Sequence, residues 1–156
     1  MLILGLDPAL TQTGYAILDK DHYVNGGVIE TISSDTMSER LFMIYDQLCR
    51  IMKEYLPNVV AVEHVFVNSN YESSLKLSMA RGVIMMVPKI FDVNVFEYTP
   101  THVKKSIVGK GRADKIQLRT FLPYMVNNMP ENLNLNTSDA VAIALCHYHL
   151  QMHTYK

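Results

Sequence analysis

A chain of 156 residues, 49% of them hydrophobic and 19% charged, suits one domain spanning 1–156, able to bury roughly 70% of its unfolded surface without staples. Its net charge of −1 excludes a uniformly basic, histone-like binder, but leaves open nucleic-acid binding through a local field. No apolar run approaches the roughly 18 residues of a membrane span, and no basic region precedes the first apolar run as in a signal peptide.

Residues 2–6 read as a buried strand that closes on Asp7. A second strand over 14–19 and a third over 23–31 complete a meander, with Gly26 and Gly27 predicting a bend or bulge. Leu41, Ile44, Leu48, Ile51, Met52 and Tyr55 then recur at helical spacing; Thr36 and Glu39 form its capping box and Pro57 ends it. Residues 58–63 are apolar enough for a central strand parallel to the first.

A second helix runs from Asn70 to Val87, with Ser69 and Glu72 as a capping box and Pro88 as its stop. Leu75, Leu77, Met79, Val83, Ile84, Met86 and Val87 wrap most of its circumference, which predicts burial within the core or at a subunit interface. A fifth strand covers 93–98. Thr99 and Pro100 open a third helix, Gly109–Gly111 breaks it, and 113–122 makes a fourth. The last helix spans 138–149 and must pack on the sheet to hide Val141, Ile143, Ala144 and Leu145. The pattern is α/β: a mixed five-stranded sheet with helices on both faces. Cys49 and Cys146 lie in separate apolar segments without zinc spacing, as reduced core thiols of a cytoplasmic protein do.

Three acids stand at the edges of apolar runs. Asp7 follows 2–6, Glu63 follows 59–62, and Asp139 precedes 140–145. Carboxylates brought together from distant segments repel one another unless a cation neutralises them, so this set predicts a divalent-metal site and phosphoester chemistry. Between residues 101 and 120, Lys104, Lys105, Lys110, Arg112, Lys115 and Arg119 stand against Asp114 alone. That reads either as a solvated helical face or as a nucleic-acid contact. His147 and His149 do not share a helical face; they and His153 read as surface residues, and His64 as a polar strand end.

Leu4-Gly5-Leu6-Asp7-Pro8-Ala9 with Thr13-Gly14-Tyr15, then Val62-Glu63-His64-Val65-Phe66, resemble the first two motifs of RuvC-type Holliday junction resolvases. Leu75-Lys76-Leu77, Ala80-Arg81-Gly82, Val95–Tyr98, Val103-Lys104, Val108-Gly109 and 138–144 fit the same family, in the same order, over nearly the whole chain. The small size points to a bacteriophage or otherwise diverged member, acting in the bacterial host cytoplasm if phage-encoded. The resemblance implies an RNase H-like fold and a homodimer, for which the 70–87 helix is the natural interface. It also implies cleavage of branched DNA with two Mg²⁺ (or Mn²⁺) ions per site. Asp7 is then the bridging ligand, with Glu63 and Asp139 each holding one metal.

By the same resemblance, Lys115 lies near the scissile phosphate and Lys104 holds the DNA backbone. Lys105, Lys110, Arg112 and Arg119 add phosphate contacts. Phe66, with Tyr71 as a possible companion, stacks on junction bases, the plain alternative being a core Phe. Arg81 reaches DNA or pairs with a core-edge acid. The family carries a fourth acid, sometimes His, where this chain has Asn136. Three readings of Asn136 stand open: a helix N-cap, a weak natural ligand, or an introduced Asp-to-Asn change that weakens the site; the third is preferred. Two other functions remain open: a binding protein that grips junctions without cutting, and an RNase H-like nuclease acting on RNA–DNA hybrids. An actin-like ATPase needs two domains and more chain than this.

Overall fold

The computed structural model describes residues 1–64, 70–112 and 114–154, with side chains described up to residue 152. Strands β1 (Leu2–Asp7), β2 (Gln12–Asp19) and β3 (His22–Glu30) form the meander, followed by α1 (Met37–Tyr55) and β4 (Val59–Glu63). Next come α2 (Tyr71–Ile90), β5 (Asn94–Tyr98), α3 (Pro100–Val108), α4 (Lys115–Met125) and α5 (Leu135–Thr154). The sheet order is β3-β2-β1-β4-β5. β1 is antiparallel to β2 and parallel to β4, and β4 is parallel to β5, so the sheet is mixed as expected.

Both faces are covered, which is why β1 and β4 are apolar at nearly every position. Ile3, Ala16, Leu18, Val59 and Ala61 pack into one core with residues of α3, α4 and α5. Leu4, Leu6, Ile17, Val60 and Val62 pack into the other with α1 and α2. Residues 140–146 of α5 are all at most 1% exposed, because that helix lies across the middle of the sheet.

Two glycines let it lie there. A Cβ on Gly5 would come within 2.2 Å of the Ala140 carbonyl oxygen, and one on Gly14 within 2.1 Å of the Asn136 carbonyl oxygen. Gly14 is the ladder partner of Asp7. Close contact at these two strand positions therefore brings the first turn of α5 to the end of β1.

The expected caps of α1 and α3 are present: Thr36 with Glu39, and Thr99 followed by Pro100, with Gly109 closing α3 at φ 75°. Other boundaries differ. The β2–β3 register shifts beside Ile17 and Leu18, where Val24 is the extra residue, so the bulge precedes Gly26 and Gly27. Those glycines instead make room for Thr137 and the Tyr15 ring. Asn70 caps α2 by accepting the Ser73 N–H; the expected Ser69 cap lies outside the described residues.

Pro88 does not stop α2, and Pro123 falls within α4; each forgoes one N–H bond to the carbonyl four residues back, and both helices end within the same turn, at Ile90 and Met125. α4 starts later than expected because Asp114 and Gln117 form a capping box there. α5 starts three residues early because Asn134 accepts the Asn136 N–H on its side chain at 2.8 Å and the Ser138 N–H on its carbonyl at 2.9 Å. Among the described residues no helix is long and apolar enough to cross a membrane, and Cys49 and Cys146 are buried free thiols.

Candidate active site

Strand alternation aims the first two acids. Asp7 shares a face of β1 with Ile3 and Gly5, and Glu63 shares a face of β4 with Val59 and Ala61, so both point toward the α3–α5 layer. The Leu6–Val62 register sets them side by side at the carboxyl ends of parallel strands. Asp139, in the second turn of α5, completes the group.

The acids feel one another. Burial, then the charges of Glu63 and Asp139, push the Asp7 carboxyl up to about 7, against the opposing pull of Lys115 and Arg119. Burial also raises Glu63, with Asp139 adding to the rise and Lys115 and Lys104 opposing it. The hydrogen bond from Lys115 to Asp139 holds the Lys115 ammonium above its ordinary value, and all three acids add to the rise. One lysine thus senses the whole set.

Lys115 is the first residue of α4, placed by the Asp114 cap. Its Nζ donates to Asp139 Oδ2 at 3.0 Å. Arg119, one turn on, donates through one Nη atom to both Asp139 oxygens at 3.3 Å. Arg119 is a phosphate contact on the sequence reading; in the fold it shares a face of α4 with Lys115, four residues before it, and pairs with Asp139. Lys104, half-buried on α3, lines a cavity of about 120 Å³ with Glu63, Lys115, Leu118 and Asp139. Lys105, Lys110 and Arg112 are exposed around the α3–α4 connection.

Other expected residues sit elsewhere. Arg81 on α2 bonds Glu97 on β5, whose carboxylate also meets His64 Nδ1 at 3.0 Å; the pairing alternative for Arg81 is the one observed. Phe66 lies outside the described residues, and Tyr71 is 82% exposed at the start of α2. His147 is not a surface residue: it is 2% exposed, meets the Tyr98 hydroxyl at 2.7 Å, and burial lowers its pKa. The α5 face it occupies is turned into the core. His149 is partly buried against the Ser106 carbonyl, and the side chain of His153 is outside the described set.

Asn136 is not the helix cap, since Asn134 fills that role. Its Cβ lies against Gly14, and its side-chain amide donates to Gln12 Oε1 at 3.2 Å. Among the described residues no three His, Cys, Asp or Glu side chains stand closely enough to hold one ion. Asp7 and Glu63 nevertheless offer paired hard oxygen donors, both raised first by burial and further by neighbouring acids, the donor chemistry that suits a divalent cation such as Mg²⁺ or Mn²⁺. Asp139, engaged by two side-chain cations, is the less available ligand.

Known proteins resemble this chain in sequence and in fold. The family model described as crossover junction endodeoxyribonuclease RuvC matches residues 3–147. The RuvC of Wolbachia sp. subsp. Brugia malayi is 40% identical over 153 residues, covering 93% of this chain and 92% of that protein. The RuvC of Citrifermentans bemidjiense is 41% identical, covering 96% and 93%. Thermus thermophilus RuvC, solved in complex with Holliday junction substrate, superposes with a TM-score of 0.90 at 26% identity over 99% of this chain and 97% of that one. The yeast mitochondrial resolvase Ydc2, at 12% identity and a TM-score of 0.66, covers 98% and 82% and shares the fold. With an RNase H-like sheet, acids at its parallel strand ends and a family match over almost its entire length, the chain belongs to the RuvC family of crossover junction endodeoxyribonucleases.

Proposed function

We propose that this chain cuts four-way DNA junctions by metal-dependent phosphodiester hydrolysis, two symmetry-related cuts being made by a homodimer. The observation that carries the reading is the meeting of Asp7, Glu63 and Asp139 beside Lys115 at one sheet rim. Asp7, Glu63 and Asp139 would hold the divalent ions of this proposal, two Mg²⁺ or Mn²⁺ per site. A divalent ion so held supplies charge neutralisation and acidifies water for attack on phosphorus. On this reading Lys115 stabilises charge developing on the scissile phosphate and Lys104 holds the strand, a reading supported by both lining one cavity with Glu63 and Asp139. Phe66, outside the described residues, is proposed to stack on junction bases, the alternative being a core Phe. Buried free thiols at Cys49 and Cys146 suit a reducing cytoplasm. Cleavage of a labelled four-way junction, measured against linear duplex and RNA–DNA hybrid, tests the reading; equal cutting of all three would overturn it.

A second reading, junction binding without cutting, is favoured by Asn136 alone, whose neutral amide donates to Gln12 where the family has an acid. Tight binding with no nicking in any divalent metal, even after Asn136→Asp, would select it.

The dimer draws support from α2. Only Ala80, Ile84, Val87 and Pro88 of that helix are buried, while Leu75, Met79, Met86 and Ile90 are 59%, 41%, 51% and 57% exposed. Their spacing of four, seven and four residues makes one stripe, and Gly82, within it, has nothing within 4 Å of where a Cβ would sit. A stripe of this kind leaves room for the same helix of a second copy around a two-fold axis. Met86→Glu is expected to convert the dimer to monomer at micromolar concentration, read by sedimentation, with cutting reduced in parallel.

Lys105, Lys110 and Arg112 act as phosphate contacts on this proposal. Changing Lys110 or Arg112 to Ala should weaken binding to all junction sequences alike and reduce the slope of log affinity against log salt by about one each. Salt titrations by fluorescence anisotropy measure both effects.

A further inference from the structure

The cation pair on Asp139 has a consequence for the number of ions the free protein holds. The Lys115 side chain is 67% exposed, Arg119 is 25% exposed and Asp139 only 12% exposed, so the carboxylate meets the guanidinium in a place largely withdrawn from water. Arg119 touches both Asp139 oxygens, and its Nε is buried without an acceptor, so Asp139 is the anchor of that side chain among the described residues. On the other side of Asp7, Asn136 contributes no charge, and its amide nitrogen is spent on Gln12. The rim thus sets three carboxylates against two directly paired cations, with Lys104 acting on Glu63 from α3. One divalent ion already turns that balance positive. A second would have to displace Arg119 and Lys115 from Asp139, with Asn136 adding no negative charge in return.

We propose that Arg119, with Lys115, acts as a built-in cation on Asp139, limiting the DNA-free protein to one tightly held divalent ion at Asp7 and Glu63. Arg119 is a positioning residue here: in the DNA-free protein it governs the availability of Asp139. The inference rests on the metal-site reading above. It predicts an ordering, in which the Asp139 side of the centre takes up metal only once its cations have another anion to engage, such as a DNA phosphate.

The test is Mn²⁺ binding to the intact DNA-free protein, by calorimetry and by electron paramagnetic resonance of unbound Mn²⁺, for the parent chain, Arg119→Gln, Lys115→Gln and Asp7→Asn. The parent is expected to hold one tight ion per chain. Arg119→Gln should either bind a second ion or bind Mn²⁺ roughly tenfold more tightly, as removal of a cation in contact with a ligand carboxylate implies. Lys115→Gln, at an exposed position where folding is not at risk, should tighten binding in the same direction by a smaller factor. Two tight ions in the parent, or unchanged number and affinity in both the Arg119 and Lys115 variants, would overturn the proposal. Mn²⁺ binding that is absent from the parent, or that survives Asp7→Asn undiminished, would instead refute the underlying metal site and the proposal with it.

Discussion

Asn136→Asp is expected to raise single-turnover cleavage of a four-way junction in Mg²⁺ by several orders of magnitude, roughly 10³-fold or about 4 kcal/mol of barrier. The change is nearly isosteric, so the packing of the Asn136 Cβ against Gly14 should survive it. What changes is electrostatic. A neutral amide that donates to Gln12 becomes an acid one strand away from Asp7, and the carboxamide of Gln12 can rotate to donate in return. The added charge helps neutralise a second divalent ion and offsets the Arg119 and Lys115 pair on Asp139. Matched cleavage time courses of the two proteins in Mg²⁺ and Mn²⁺ measure the effect, and equal rates would dismiss any metal role for this position. Junction affinity, read separately in Ca²⁺, keeps a change in binding from being mistaken for a change in chemistry.

Asp7→Asn should abolish cutting, with a loss above roughly 10³-fold, while stabilising the metal-free protein at neutral and alkaline pH. The sign follows from the direction of the shift. Asp7 has an ordinary carboxyl pKa of 3.8 when unfolded and about 7 in the fold, so between those values the folded state binds the proton that the unfolded chain has released. The stability contributed by that proton is complete below about 3.8 and is lost as pH rises through about 7. Metal-free parent protein should therefore melt at progressively lower temperature from pH 5 to pH 8, and Asp7→Asn should lack this part of the slope. Divalent ions act in the opposite sense, because the carboxylate must lose its proton to bind them. Mn²⁺ affinity should rise toward about tenfold per pH unit below pH 7 and level off above it. Thermal melts at four pH values, with and without Mn²⁺, check both halves; an Asp7→Asn protein with the parent's pH slope would contradict the account.

Much of this site could be read from the residues alone, because its parts lie where local rules are strong. An apolar run that ends in an acid is a strand delivering a carboxylate to a rim, and the structure places Asp7 and Glu63 at adjacent strand ends facing one layer. The caps at Thr36 and Thr99 were legible for the same reason, since each depends on residues within a few positions. Pro88 misled by one turn: α2 forgoes a single N–H bond there and ends at Ile90.

The partner of a charged side chain is decided by distance across the fold. Nothing near Arg119 in the chain names Asp139, 20 residues away, nor does Arg81 announce Glu97 on the strand its helix packs against. His147 looked polar and exposed in a linear reading, yet α5 crosses the sheet with nearly its whole circumference covered, and that burial gave it Tyr98 as a partner.

The order of apolar runs, turns and acids by itself determined the five strands, the two-sided helical packing and the three carboxylates of the rim, because hydrophobic periodicity and capping act over a few residues. Tertiary structure alone decided which cations guard which acids, that the Asn136 amide meets Gln12, and that two glycines on neighbouring strands admit the last helix to the sheet. Those contacts join residues 20 or more positions apart in the chain, and local patterns carry no measure of their separation in space.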